Sequence, residues 1–269
     1  MAFSGNESGS TESRKRLYIG LEKFKVTAFN PNKAQLAEMG IIVDDELNYI
    51  SEDEGVKTSR VAIYLDNDDT DNNVKTVLSI FLRDEHQTTM SGKLKWINNE
   101  GISFYGTQED IDNKNFYDWM KQEDEEGNTK VDLESFVPCK SNQEELVNFI
   151  KTFANVKNGD PAYIENMDAL FNGDFSELNG LLEHFPNNKV GVLLGVKTKD
   201  DGTLVQTHYL KKFERGFSTD MSYLQTSVNS WRENGGGSNV DFGNFPYNFR
   251  EYVPTAAGVD SSAEDDIPF

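Results

Sequence analysis

Alternation with period two dominates both ends of this chain and breaks down between them. Val74, Thr76, Leu78, Ile80 and Leu82 fall on one side of an extended segment, with Lys75, Val77, Ser79, Phe81 and Arg83 on the other. Thr58 to Leu65 behaves likewise, with Val61, Ile63 and Leu65 opposed to Arg60, Ala62 and Tyr64. Leu17 to Phe29 predicts a long first strand with a bend at Gly20, because glycine inside a strand marks a bulge or kink. Lys93–Ile97 and Ile102–Tyr105 flank Asn98–Gly101 and predict a hairpin. Near the far end, Lys189–Lys199 turns at Asp200–Gly202 into Thr203–Phe213.

The spacing changes between residues 106 and 185. Phe116, Tyr117, Trp119 and Met120 sit at helical intervals and are expected to face a core. Ser141 and Glu144 have the spacing of a capping box ahead of Leu146, Ile150 and Phe153. Leu178, Leu181, Leu182 and Phe185 form a second stripe, ended by Pro186. Shorter helices are expected from Pro31 to Gly40 and from Thr219 to Trp231. Residues 1–13 read as a flexible arm, 14–232 as one domain with an acidic helical insertion at 106–185, and 233–269 as a linker and acidic tail opened by Gly235–Ser238. Whether Phe242, Phe245, Tyr247, Phe249 and Tyr252 fold back onto the domain is left open by the pattern.

The formal net charge of −20 changes the picture only when it is resolved along the chain. Segments 14–42, 73–105 and 186–232 carry +4, +1 and +3, whereas 43–72 carries −8 and 106–185 carries −12. The cations gather where the strands are predicted, and the acids in loops, insertion and tail. An overall negative charge therefore does not exclude a phosphate-binding face, since distribution decides such contacts.

Cys139 is the one cysteine, so no intrachain disulfide can form and a reducing compartment is expected. His86, His184 and His208 are scattered and give no zinc spacing. Asp66–Asp71 suggests a calcium loop, but Asp71 stands where glycine and Val77 where glutamate would be required, so a solvated turn is expected. The chain has no Walker-type loop, no His-Glu-x-x-His and no nucleophile elbow. No enzyme activity, cofactor or metal is expected, and no apolar run reaches the length of a membrane span.

Four of the last ten residues are acidic, none is basic, and the run closes on Ile267, Pro268 and Phe269. Such a segment has too little apolar surface to order itself, so a disordered tail with an apolar hook is expected. Glu264-Asp265-Asp266-Ile267-Pro268-Phe269 resembles the acidic tip of bacterial single-stranded DNA-binding proteins, and the chain as a whole looks more like their phage counterparts. That resemblance implies a core that coats single-stranded DNA in replication, recombination and repair. It also implies a tip that recruits polymerase, helicase, primase or nuclease through Asp265, Asp266, Ile267, Pro268 and Phe269. The implied setting is the cytoplasm of a bacterial or phage-infected cell.

The strand inventory is mainly β with α insertions. It matches a five-stranded Greek-key barrel of OB type, with its helical connection between the third and fourth strands. Single-strand binding uses cations that meet phosphates and rings that stack on bases. By that criterion the candidate groove comprises Arg60, Tyr64, Lys75, Phe81 and Arg83 on the central strands. It adds Lys93, Lys95, Trp96 and Tyr105 on the hairpin, and Lys197, Lys199, Tyr209, Lys211 and Phe213 on the last pair. A phage annealing or recombination protein is the alternative reading, and a metal-dependent nuclease a more distant one.

Overall fold

The computed structural model describes residues 16–39, 50–67, 74–123, 125, 127–154, 164, 167–214 and 222–254, with 210–214 as backbone alone. The chain order is β1 (Tyr18–Phe29), α1 (Lys33–Glu38), β2 (Ile50–Asp53), β3 (Val56–Asn67), β4 (Val74–His86), β5 (Leu94–Ile97), β6 (Ser103–Gly106) and α2 (Gln108–Asp112). It continues with β7 (Val137–Pro138), β8 (Lys140–Ser141), α3 (Gln143–Phe153), α4 (Ser176–His184), β9 (Lys189–Thr198), β10 (Leu204–Glu214), α5 (Ser222–Glu233), β11 (Val240–Asp241) and β12 (Arg250–Glu251). The main sheet runs β10-β9-β1-β3-β4-β8, and every pairing along this path is antiparallel. The protein is thus mainly β with added helices, and its sheet curls into a half-barrel.

The predicted alternation fills the concave side. Phe24, Val26, Val61, Ile63, Leu65, Leu78, Ile80, Leu82, Val190, Val192 and Leu194 form one buried cluster. Leu146, Phe149, Ile150 and Phe153 of α3 and Leu178 and Leu181 of α4 close it from below. Ser141 and Glu144 do not form the expected capping box. Ser141 pairs in β8, Asn142 takes the N-cap position in a left-handed conformation, and Glu144 is drawn to Lys95. Capping boxes form instead at α1, between Asn32 and Gln35, and at α2, between Thr107 and Asp110.

The excursion from the main sheet starts earlier than residue 106. The hairpin β5–β6 joins β7 in a second, three-stranded sheet. Trp96, Phe104, Phe116, Met120, Val131 and Phe136 give that sheet its own core. Tyr117 and Trp119 depart from the expectation that they face a core, being 42% and 51% exposed, because residues 118–121 form a 3-10 turn rather than an α-helical face. The excursion is therefore a small β module followed by helices, not a helical insertion throughout.

Residues 234–252, expected to open a linker, pack against the curled sheet. Phe242 is fully buried between β9 and α5, and β11 and β12 pair with β9 and β1. Two glycines make this approach possible. A Cβ on Gly195 would lie 2.5 Å from the Phe242 ring. A Cβ on Gly20, which adopts φ +101° at the predicted bend, would lie 2.4 Å from the Asn248 carbonyl oxygen.

The ends of the curled sheet approach each other in a side-chain contact. Thr76 Oγ1 on β4 and His208 Nε2 on β10 share a hydrogen bond of 3.0 Å. Burial pushes the His208 imidazole down to about 4; the residue is only half-buried overall, but its ring is enclosed. In the unfolded chain the same ring titrates near 6.5. The neutral ring therefore supports the fold fully above about pH 6.5, and that support is lost as pH falls toward 4. His208→Gln is expected to remove roughly 1–3 kcal/mol of the stability change between pH 7 and pH 4, read as a flatter slope in urea unfolding against pH. Phe242→Ala is expected to cost about 3 kcal/mol at pH 7, seen as a lower urea midpoint.

Candidate nucleic-acid interface

The convex face of the central strands is where polar positions accumulate. Arg60 on β3 stands directly opposite Phe81 on β4, and Thr58 opposite Arg83. Phe81 is 50% exposed, a large ring that period-two alternation turns away from the core. Arg60 Nε donates to Ser79 Oγ at 3.0 Å, which lays the guanidinium along β4 beside the Phe81 position. The edge of β3 is fixed here by Asn30, whose Nδ2 donates to the Arg60 carbonyl at 2.7 Å and whose Oδ1 accepts from the Ala62 N–H at 2.6 Å. Arg83 pairs with Glu85 at 3.2 Å in an exposed contact that salt screens easily. An exposed ring with arginine positions opposite it and two residues along its strand suits base stacking with phosphate contacts nearby.

Four candidates leave the set because they are buried. Tyr64 lies under α1 with Leu36 and Ala62. Tyr209 lies under α5 with Leu224 and Val228, its ring edge-on to Phe242. Both do occupy the convex side, as alternation requires, but a helix covers each. Trp96 is in the core of the small module and donates from Nε1 to the Gly106 carbonyl at 3.1 Å. Lys95 is 8% exposed and forms an ion pair with Glu144. Burial alone would push the Lys95 ammonium down, but the hydrogen bond and charge of Glu144 hold it above its ordinary value. These roles are structural.

The remaining candidates do not form one continuous patch. Lys75 is on the same face as Phe81, six residues along β4, and lies 3.7 Å from Asp66. Lys93 and Tyr105 are exposed on the small module, away from the main sheet. Lys197 and Lys199 are exposed at the β9–β10 turn. The side chains of Lys211 and Phe213, and Asp265 to Phe269, lie outside the described residues.

Three lysines that periodicity could have found were missed. Lys23 and Lys25 alternate with the buried Phe24 and Val26, and Lys189 precedes the buried Val190. All three project from the convex face, and their register places Lys25 opposite Lys189 and Asp66. The chain matches no protein-family model, no curated protein and no solved structure. No helix among the described residues is long and apolar enough to cross a membrane.

The structural assignment of Lys95 is open to test. Glu144→Ala is expected to destabilise the fold by about 1–3 kcal/mol, since it strands a buried ammonium. The double substitution Lys95→Met with Glu144→Leu is expected to recover most of that loss in urea unfolding, and neither variant should alter oligonucleotide affinity.

Proposed function

We propose that this protein binds single-stranded DNA, without strong sequence preference, on the convex face of β3 and β4, within a barrel of OB type. The observation that carries the reading is the half-exposed Phe81 ring on β4, with Arg60 opposite it on β3 and Arg83 two residues along its own strand. Every base has a π-face, so stacking tolerates sequence, while guanidiniums supply the phosphate contacts. The barrel assignment is supported by the strand order β4-β3-β1-β9-β10, with the helices α3 and α4 connecting β4 to β9. β4 and β10 run in the same direction, each being two antiparallel steps from β1, and Thr76 and His208 join them. In folds of this type the second and third strands and the adjoining loops take oligonucleotides, and this reading gives those places to β3 and β4.

The acidic stretch 260–269 is proposed to recruit replication and repair enzymes, with Asp265 and Asp266 for a basic rim and Ile267, Pro268 and Phe269 for an apolar pocket. The protein acts in this reading as a binding module rather than an enzyme.

Oligo-dT is expected to bind well above a duplex of the same length at physiological salt. Phe81→Ala should weaken dT binding by roughly 1–3 kcal/mol with the salt slope unchanged, because a ring contributes stacking and no counterion release. Arg60→Gln should instead flatten the slope. Both are read by fluorescence anisotropy across a salt series. Equal affinity for duplex and single strand, or no effect of Phe81→Ala, overturns the reading.

A further inference from the structure

Phe116 and Met120 turn into the core of the small β module, but Tyr117 and Trp119, which lie between them in the chain, stay about half exposed. The Tyr117 ring meets Phe104 edge-on with centroids 5.0 Å apart, so it caps the rim of that core and keeps much of its surface in water. Trp119 sits in the 3-10 turn Asp118–Lys121, where three residues complete a turn. Met120 takes the inward position there, and the indole is left outside. Two large rings one residue apart make an apolar patch, and tyrosine and tryptophan are the side chains that most often anchor interaction sites.

Charge decides what these rings can meet. Residues 107–136 hold ten acids and three lysines. Asp118, between the two rings, has a fully exposed side chain, with Lys121 Nζ 3.4 Å away. Lys114 pairs with Glu134 in a second exposed contact. Exposed pairs of this kind contribute little in water and exchange readily for another cation. α2 brings Glu109 and Asp112 into the same module, and the Asn115 N–H donates to the Asp110 carbonyl at 2.7 Å, so α2 folds back on the segment that leads to Tyr117. Phe81 has arginines about it, whereas Tyr117 and Trp119 have carboxylates. A phosphate chain is repelled here. A guanidinium is favoured twice, because its plane stacks on a ring and its charge meets the carboxylates.

We propose that Tyr117 and Trp119, with Asp118 between them, form a docking surface for an arginine-rich segment of a partner protein. The rings supply stacking area, and the acids of the module draw the segment in and hold its charge. Arginine is preferred to lysine, because a planar, weakly hydrated guanidinium stacks on an aromatic face and a compact, strongly hydrated ammonium does so less well. Charge speaks against the other occupants: residues 260–269 hold four acids and no base, and a second copy of the chain carries a net −20. The surface belongs to the small module and not to β3 and β4, so it does not depend on the single-strand reading.

The test titrates the full chain with labelled nona-arginine and nona-lysine peptides at physiological salt, read by fluorescence anisotropy. Nona-arginine is expected to bind about fivefold tighter than nona-lysine. Tyr117→Ser with Trp119→Ser is expected to weaken nona-arginine by about tenfold and bring it to the level of nona-lysine, with little effect on the latter. Trp119→Ser alone should remove part of the difference while leaving the urea midpoint unchanged, which separates loss of the ring from loss of the fold. Asp118→Asn should weaken both peptides, with the effect shrinking as salt rises. Deleting residues 255–269 should leave the preference for arginine intact, since the rings create it. Equal affinity for the two peptides, or an arginine preference that survives loss of both rings, means attraction by net charge alone and overturns the docking site. A double serine variant that loses oligo-dT binding assigns the rings to nucleic acid and overturns it too. So does a parent that sediments as a dimer and becomes a monomer on the double substitution, because the occupant is then a second copy of the chain.

Discussion

The pairing of β1 with β3 along one edge and with β9 along the other is the constraint on which the rest of the molecule depends. A strand shared in this way must serve two ladders at once. It can do so only if its own direction changes where each partner leaves. Gly20 at φ +101° and the irregularity between Val26 and Ala28 supply those changes. With β1 bent, the sheet curls until β4 and β10 come within hydrogen-bond reach at Thr76 and His208. On the concave side, phenylalanine and aliphatic side chains form the main core. The same bend at Gly20 clears space for the backbone at Asn248, so the C-terminal strap docks where the strand turns.

The outer, convex face is divided by what lies on it. Two apolar patches on the convex face are sealed by short elements, α1 at one end and α5 with the strap at the other. Lys23, Lys25, Lys75 and Lys189 occupy other positions on that face. The net charge of −20 is spread unevenly along the chain: Asp66 lies among these lysines, but most of the acids belong to other segments. Many of them fall within residues 106–185, part of which forms the small β module with its separate core. Electrostatic attraction of a phosphate chain depends on charge within about 8–10 Å at physiological salt, so distant acids weigh little against adjacent lysines.

Aromatic residues on the convex strands show how far residue type can mislead. Phe81, Tyr64 and Tyr209 all project from the same face, and alternation assigns that correctly for each. Only Phe81 is substantially exposed. Tyr64 and Tyr209 are apolar enough to be covered, and a helix from a distant part of the chain covers each. Lys95 is the converse case. It alternates outward on its hairpin, but α3 presents Glu144 to it, and an exposed-looking cation becomes a buried ion pair.

What the sequence determined by itself was local and periodic: the span and faces of β1, β3, β4, β9 and β10, the hairpin at Gly101, the turn at Gly202 and the apolar stripes of α3 and α4. Each depends on side-chain alternation or turn chemistry within a few residues, which a single chain carries explicitly. The same periodicity placed Lys23, Lys25 and Lys189 outward, although only the cross-strand register made them neighbours. Tertiary structure decided which outward faces remained open, that residues 234–252 belong to the body, and that Trp96 and Phe104 have a core of their own. Those outcomes follow from contacts between elements far apart in sequence. Such contacts are set by how a curled sheet exposes apolar area and which helices can reach it, a property of the whole fold and not of any one segment.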